Sequence, residues 1–215
     1  MFLFIAIKLL KRNRLRSIIT LSMFYIFSAT GLIFNAIFLL IAAFLPENAV
    51  LLQVIYFLSF YPMLFSPIFI LTFIVSLLKL EFVFTIKKQL IVTVIYSLVI
   101  FIIYFAPGGI TFIDQWRPVY HWNFSMLVFI FYSGYIVIPT LLYSRRLIRT
   151  FEDKILKKKL ITFIIGVIGM FSSVYGVLLY ITWKNPLFRS LWSIITVLII
   201  IPSAIFIYYG IGREL

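Results

Sequence analysis

From Ser17 to Phe44 the chain runs without a single charged side chain, and it does so five more times, over 50–78, 90–106, 124–143, 160–182 and 191–211. A helix rises about 1.5 Å per residue, so crossing a hydrocarbon core of about 30 Å takes roughly 20 apolar residues. Each stretch approaches or exceeds that length. A water-soluble fold could not hide them. The chain has 215 residues, 64% hydrophobic and 12% charged, against about half and about a quarter in ordinary soluble domains. Even a well-packed soluble domain buries only about 70–75% of the surface its unfolded chain exposes. The expected fold is all-α: a polytopic transmembrane helical bundle of about six spans over 17–215, preceded by a basic segment over 1–16.

The charges lie between these stretches, which fixes how they are read. A formal net charge of +13 on a soluble surface would point to nucleic acid. Set in short runs beside apolar spans, it points instead to an anionic inner leaflet, with no nucleic-acid partner. Short cytoplasmic loops collect Lys and Arg. With the N-terminus inside, 16 of the 19 basic residues fall on the inner side, leaving only Arg117, Lys184 and Arg189 outside. Six spans with both termini cytoplasmic follow as the expected topology, in an integral membrane protein.

Residues 2–10 (FLFIAIKLL) are apolar but only about half as long as a span requires. They are expected to lie along the inner interface, or to be the remnant of a first span. The apolar part precedes the basic part and no small-residue cleavage site follows, which argues against a signal peptide. Pro46-Glu47-Asn48 should turn the chain between the first two spans. Pro62 and Pro67 should kink or unwind the second, because proline removes a backbone donor and crowds the preceding turn.

Intramembrane proton relays and ion-coupled transport place ionisable groups at depth. No Asp, Glu, His, Lys or Arg interrupts any of the six stretches, and the one histidine, His121, lies outside them. The chain has no cysteine, hence no thiolate nucleophile and no Cys-ligated metal. No catalytic residues, metal site or cofactor are expected, and no activity as an enzyme.

Two clusters remain. Gly169/Ser173 and Ser172/Gly176 are each four apart on the fifth span, which should give a small-residue face for close helix packing within the bundle or between copies. The outer loop 107–123 gathers Asp114, Trp116, Arg117, His121 and Trp122. These could cap a ligand, the tryptophans as flat walls and the polar groups as orienting contacts; equally, they could form an aromatic belt at headgroup depth. Gly108 and Gly109 should let this loop turn back over the helix ends. On the inner side, Thr150 with Asp153 resembles a capping box, and Lys157-Lys158-Lys159 should reach anionic phosphates. That basic connector is also the expected dock for a signalling partner or for subunits of a larger complex.

Four segments carry a resemblance: KLLKRNRLRS before a span, WRPVYHW in the outer loop, RRLIRTFEDKILKKK leading into FIIGVIG, and the closing YYGIGREL. In this pattern the chain resembles the N-terminal seven-helix sensor region of prokaryotic histidine kinases and related uncharacterised archaeal membrane proteins. The resemblance implies a prokaryotic cell membrane and a receptor-like module for signal transduction. It also implies a first helix that is here absent or reduced to residues 2–10. No kinase or cyclase segment follows Leu215, so signalling is expected to pass to a separate protein, or the chain is a piece of a longer one. The alternatives are a transporter or channel subunit and an accessory structural subunit.

Overall fold

The protein is described by a computed structural model covering residues 1–12, 15–78, 85–113 and 117–212. Among the described residues, six helices are long and apolar enough to cross a membrane: Arg16–Phe44, Ala49–Leu77, Ile86–Tyr104, Trp122–Thr150, Lys154–Thr182 and Pro186–Ile211. The protein is a multi-pass helical membrane protein.

The first helix, α1 (Phe2–Arg12), does not lie across the end of the bundle. It folds back along α2 (Arg16–Phe44), and its Phe2 ring meets Tyr25, well inside α2, with centroids 5.8 Å apart. Its apolar face explains this: Phe2, Ile5, Ala6 and Leu9 recur at helical spacing and are all buried. At 11 residues, α1 reaches only part way along its partner. Lys11 and Arg12 close its last turn, where cations suit the helix dipole.

Asn48 caps α3 (Ala49–Phe65), its side chain accepting the Leu51 N–H at 3.2 Å, so the turn at Pro46-Glu47-Asn48 is where the sequence places it. Helix α4 (Pro67–Leu77) continues the same span after a break at Ser66. The break is local and does not unwind the chain. Ser66 keeps helical dihedrals (φ −54°, ψ −38°), and its N–H still reaches the Pro62 carbonyl at 2.9 Å.

Helix α5 (Ile86–Tyr104) ends before Pro107, and a β-hairpin follows, an element absent from the all-helical expectation. Strands β1 (Ile110–Ile113) and β2 (Arg117–Tyr120) pair antiparallel, with Ile110 opposite Tyr120. Gly108 turns the chain into it with φ +69°, a left-handed conformation that glycine adopts freely.

The fourth span runs through α6 (Trp122–Tyr132), a wide π turn over Ser133–Val137, and α7 (Ile138–Thr150). The π turn sits just before Pro139, whose missing N–H disturbs the regular ladder there. The basic connector 145–159 divides between two helices. Thr150 ends α7 and its hydroxyl donates back to the Arg146 carbonyl at 3.0 Å, while Asp153 caps α8 (Lys154–Thr182) by accepting the Ile155 N–H at 2.8 Å. The capping box expected from Thr150 therefore does not form. Phe151 leaves the helix in an extended conformation (φ −85°, ψ 128°), and the next helix starts three residues later. Asn185 caps α9 (Pro186–Ile207), which closes in a second π turn, Tyr208–Gly212.

Lipid tails are as apolar as leucine, so close packing and interhelical hydrogen bonds hold such a bundle together. The α8–α9 pair shows the first. Gly166 and Gly169 lie directly against α9: a Cβ at Gly166 would stand 2.6 Å from the Ser203 carbonyl oxygen. Tyrosines supply the second. The Tyr25 hydroxyl donates to the Ala204 carbonyl at 2.8 Å, joining α2 to α9. Tyr96 donates to the Leu64 carbonyl at 2.7 Å, joining α5 to α3, and Tyr135 donates to the Val92 carbonyl at 3.1 Å, joining the π turn to α5.

Candidate functional site

The break in the second span sets the centre of the site. Pro67 has no N–H, so the Met63 carbonyl one turn earlier loses its helical donor, and in a bilayer such a group must find another. The Ser66 hydroxyl supplies it at 3.2 Å, and the Ser28 hydroxyl of α2 donates in turn to Ser66 Oγ at 3.0 Å. This chain of hydroxyls bridges α2 to the break. One turn toward the hairpin, Ser59 donates to the Gly31 carbonyl at 3.2 Å. Gly31 is a second close approach, where a Cβ would press on Met63.

Beside these hydroxyls the bundle holds a partly open cavity of about 240 Å³. Tyr120 of β2, with Tyr56 and Phe60 of α3, closes the hairpin end. The opposite wall comes from α8 and α9, including Met170, Ser173 and Ile200, and Phe2 of α1 seals the deep end. Among the described residues, no Asp, Glu, His, Lys or Arg lines it. Its polar groups are hydroxyls and the Asn35 amide, set among aliphatic and aromatic side chains. Tyr132, from α6, also faces this space. Its ring packs edge-on against Phe171 and Tyr175, and the residue is only 1% exposed. Its hydroxyl has no hydrogen-bond partner among the described residues. A neutral, mostly apolar cavity with a few placed hydroxyls suits an uncharged ligand.

The residues expected to cap a ligand are divided by the structure. Asp114 and Trp116 lie outside the described residues. Arg117, His121 and Trp122 are exposed, Trp122 by half, and none of the three lines the cavity. Burial along β2 rises toward the bundle: Arg117 at its start is exposed, while Val119 and Tyr120 at its end are both buried although they lie on opposite faces of the strand. The hairpin does roof a cavity, but through Tyr120. That phenol shares a hydrogen bond with Tyr56, and burial pushes its pKa well above the ordinary tyrosine value. It stays protonated as a neutral donor.

The small-residue face is likewise divided. Gly166, Gly169, Ser173 and Gly176 are spaced three, four and three and form one seam of α8, Gly169 half-buried and the other three buried. Gly169 packs on Ser203 and Gly176 on the Trp192 ring, so this seam serves packing within the bundle. Ser173 sits on the edge shared with the cavity, its hydroxyl returned to the Gly169 carbonyl at 3.0 Å. Ser172 is exposed on the other side of the helix. Its four-residue spacing from Gly176 lies one position off the seam.

Sequence reasoning missed Tyr56, Tyr132, Ser28 and Ser66, the groups that give the cavity its polarity. Their signal was present: hydroxyls recurring within charge-free spans, nearest where prolines free a carbonyl. No family model matches the chain, and comparison with curated proteins and with solved structures gives no match.

Proposed function

We propose that this protein is a non-catalytic, receptor-like membrane module that senses a ligand held inside the bundle and signals through a separate partner. The observation that carries the reading is the uncharged cavity placed against the break at Ser66 and Pro67. A ligand shifts a conformational equilibrium only through contacts that differ between two states. A cavity beside a proline break offers such contacts, because occupancy bears on how α4 leans relative to α3. The orientation proposed is N-terminus and C-terminus in the cytoplasm, with the hairpin outside. The basic ends of α7 and α8, Arg145 to Lys159, would then face the anionic leaflet and the partner.

A second reading, a transporter or channel subunit, draws on the same break, since interrupted helices border substrate sites in many transporters. The readings differ in access. A transporter must open its site to both sides in turn, whereas a receptor cavity need not reach the cytoplasm. The absence of native cysteine makes the test clean. Single cysteines at Lys184, Glu152 and Ser173 are probed with a membrane-impermeant maleimide in intact cells and in inverted vesicles. The proposal expects Lys184→Cys to react only from outside, Glu152→Cys only from inside, and Ser173→Cys never from inside. Reaction of Ser173→Cys from both sides would favour the transporter, and exchange of the Lys184 and Glu152 patterns would reverse the orientation.

A further inference from the structure

One side chain of the cavity wall is out of character with its helix. Asn35 is the only amide on α2, a helix without a charge after Arg16. With its 29 residues, about 43 Å, centred on a core of about 30 Å, α2 places Asn35 about 7 Å inside hydrocarbon. The side-chain amide makes no hydrogen bond among the described residues, and neither of its polar atoms is shut off from open space. An amide left unpaired at that depth is costly.

Helix geometry shows where the amide points. At about 100° per residue, Phe24, Ser28, Leu32 and Asn35 fall within about 80° of one another, with Asn35 between Phe24 and Ser28. All four line the cavity. Ile33 and Leu40 lie on the opposite face, where they are exposed. The amide is therefore turned into the bundle, not toward a second chain in the bilayer. The serine and threonine hydroxyls of the wall all bond within the protein, as does the Tyr56–Tyr120 pair. The Tyr132 hydroxyl is unpaired but shut off from open space. Among the described residues, Asn35 is the polar group of the wall that is both open and unpaired.

Charge and size narrow what can answer it. Among the described residues no acidic or basic side chain lines the wall, and an unpaired ion there would lose its hydration without compensation. A cavity of about 150 Å³ accommodates benzene, so one of about 240 Å³ takes roughly ten non-hydrogen atoms on the same scale. A primary amide both donates and accepts, and a hydroxyl can return both. Water alone could serve the amide but gains nothing along the apolar remainder of the wall.

We propose, resting on the reading of the cavity as a ligand site, that it binds an alkyl alcohol drawn from the bilayer. The hydroxyl pairs with the Asn35 amide, and about ten carbons run past Met170 and Ile200 toward Phe24. A plain hydrocarbon tail fits the volume but leaves the amide unpaired. A fatty acid anion or an alkylammonium brings a charge that the wall does not answer.

Photolabelling of the full chain in lipid nanodiscs tests this with three probes carrying a diazirine at the chain end: decanol, decane and decylammonium. Modified residues are mapped by mass spectrometry. At equal membrane concentration, the alcohol should label cavity residues about fivefold more than the hydrocarbon, the ratio that one net hydrogen bond supplies. The label should fall near Phe24, Met170 and Ile200, and excess octanol should displace it. The ammonium should label these residues least. Asn35→Leu, apolar and of similar size, should abolish the alcohol's preference without lowering thermal stability. Val177→Phe, which fills the cavity, should block both neutral probes. Equal labelling by alcohol and hydrocarbon in the native chain, or an unchanged preference in Asn35→Leu, overturns this assignment while leaving an occupied cavity and the receptor reading intact. Labelling of lipid-facing residues alone, with the cavity untouched by every probe, overturns both.

Discussion

The Tyr56 hydroxyl of α3 and the Tyr120 hydroxyl of β2 share one buried hydrogen bond, which ties the hairpin to the first half of the broken second span. Through it the roof of the cavity and the break beneath it become parts of one packed unit. The Phe60 ring reinforces the junction, meeting Tyr120 edge-on at 6.1 Å and Phe124 at 6.2 Å.

Removing either hydroxyl should loosen the roof while leaving the spans in place. Tyr120→Phe should cost about 1 kcal/mol, within the range of hydrogen bonds between membrane helices. Amide exchange across Ile110–Ile113 and Arg117–Tyr120 should rise, with exchange in α8 and α9 unchanged. Uniform acceleration through all helices would show that the bond supports the whole bundle rather than the hairpin.

The break makes a prediction about coupling. Ser66→Ala leaves the Met63 carbonyl without its donor and should destabilise the protein by about 1–2 kcal/mol. Pro67→Ala restores a backbone N–H to the same carbonyl, so Ser66→Ala should cost measurably less in that background. A double-mutant cycle measured by unfolding in micelles isolates the difference. Strict additivity would mean that Ser66 acts through Ser28 alone.

Glycine substitutions should separate packing seams from open positions. Gly166→Ala places a methyl 2.6 Å from the Ser203 carbonyl oxygen, and Gly210→Ala places one 2.5 Å from the Phe163 backbone nitrogen. Backbone cannot swing aside, so each should cost about 1–3 kcal/mol, the usual penalty for overpacking. Gly134→Ala meets nothing within 4 Å and should be neutral, or stabilising by up to about 1 kcal/mol, since alanine favours the helix over glycine. Thermal melts in one detergent compare the three directly.

How much of this was legible depends on which interaction decides each feature. The spans were, because hydrocarbon thickness acts on single residues: a charge-free run such as 17–44 declares itself. The break in the second span was legible at Pro67 for a similarly local reason. The hairpin was less so, because ITFI and RPVY become strands only by pairing with each other, and a pair is not visible in either half. The fold-back of α1 is also a long-range matter: Phe2 meets Tyr25 only because α1 lies back along α2. The cavity was the least legible part. An empty space belongs to no residue, and it lies where Tyr132, Ser66 and Met170 from three separate helices fail to fill the volume between them. The loop residues drew attention because Trp, Arg and His are conspicuous in composition, while the residue that reaches the cavity, Tyr120, is set by where the end of β2 meets the bundle.

The central claim is that filling the cavity changes how the bundle packs about Ser66 and Pro67. Spin labels at Leu78→Cys, just past α4, and Lys158→Cys, in the first turns of α8, report the lean of one relative to the other in a chain with no competing cysteine. Electron–electron double resonance in nanodiscs gives the distribution of distances between them. The account predicts two populations in the otherwise native chain, with Val177→Phe or saturating octanol collapsing them toward one. A single distribution, unmoved by the filled cavity and by the alcohol alike, would contradict it.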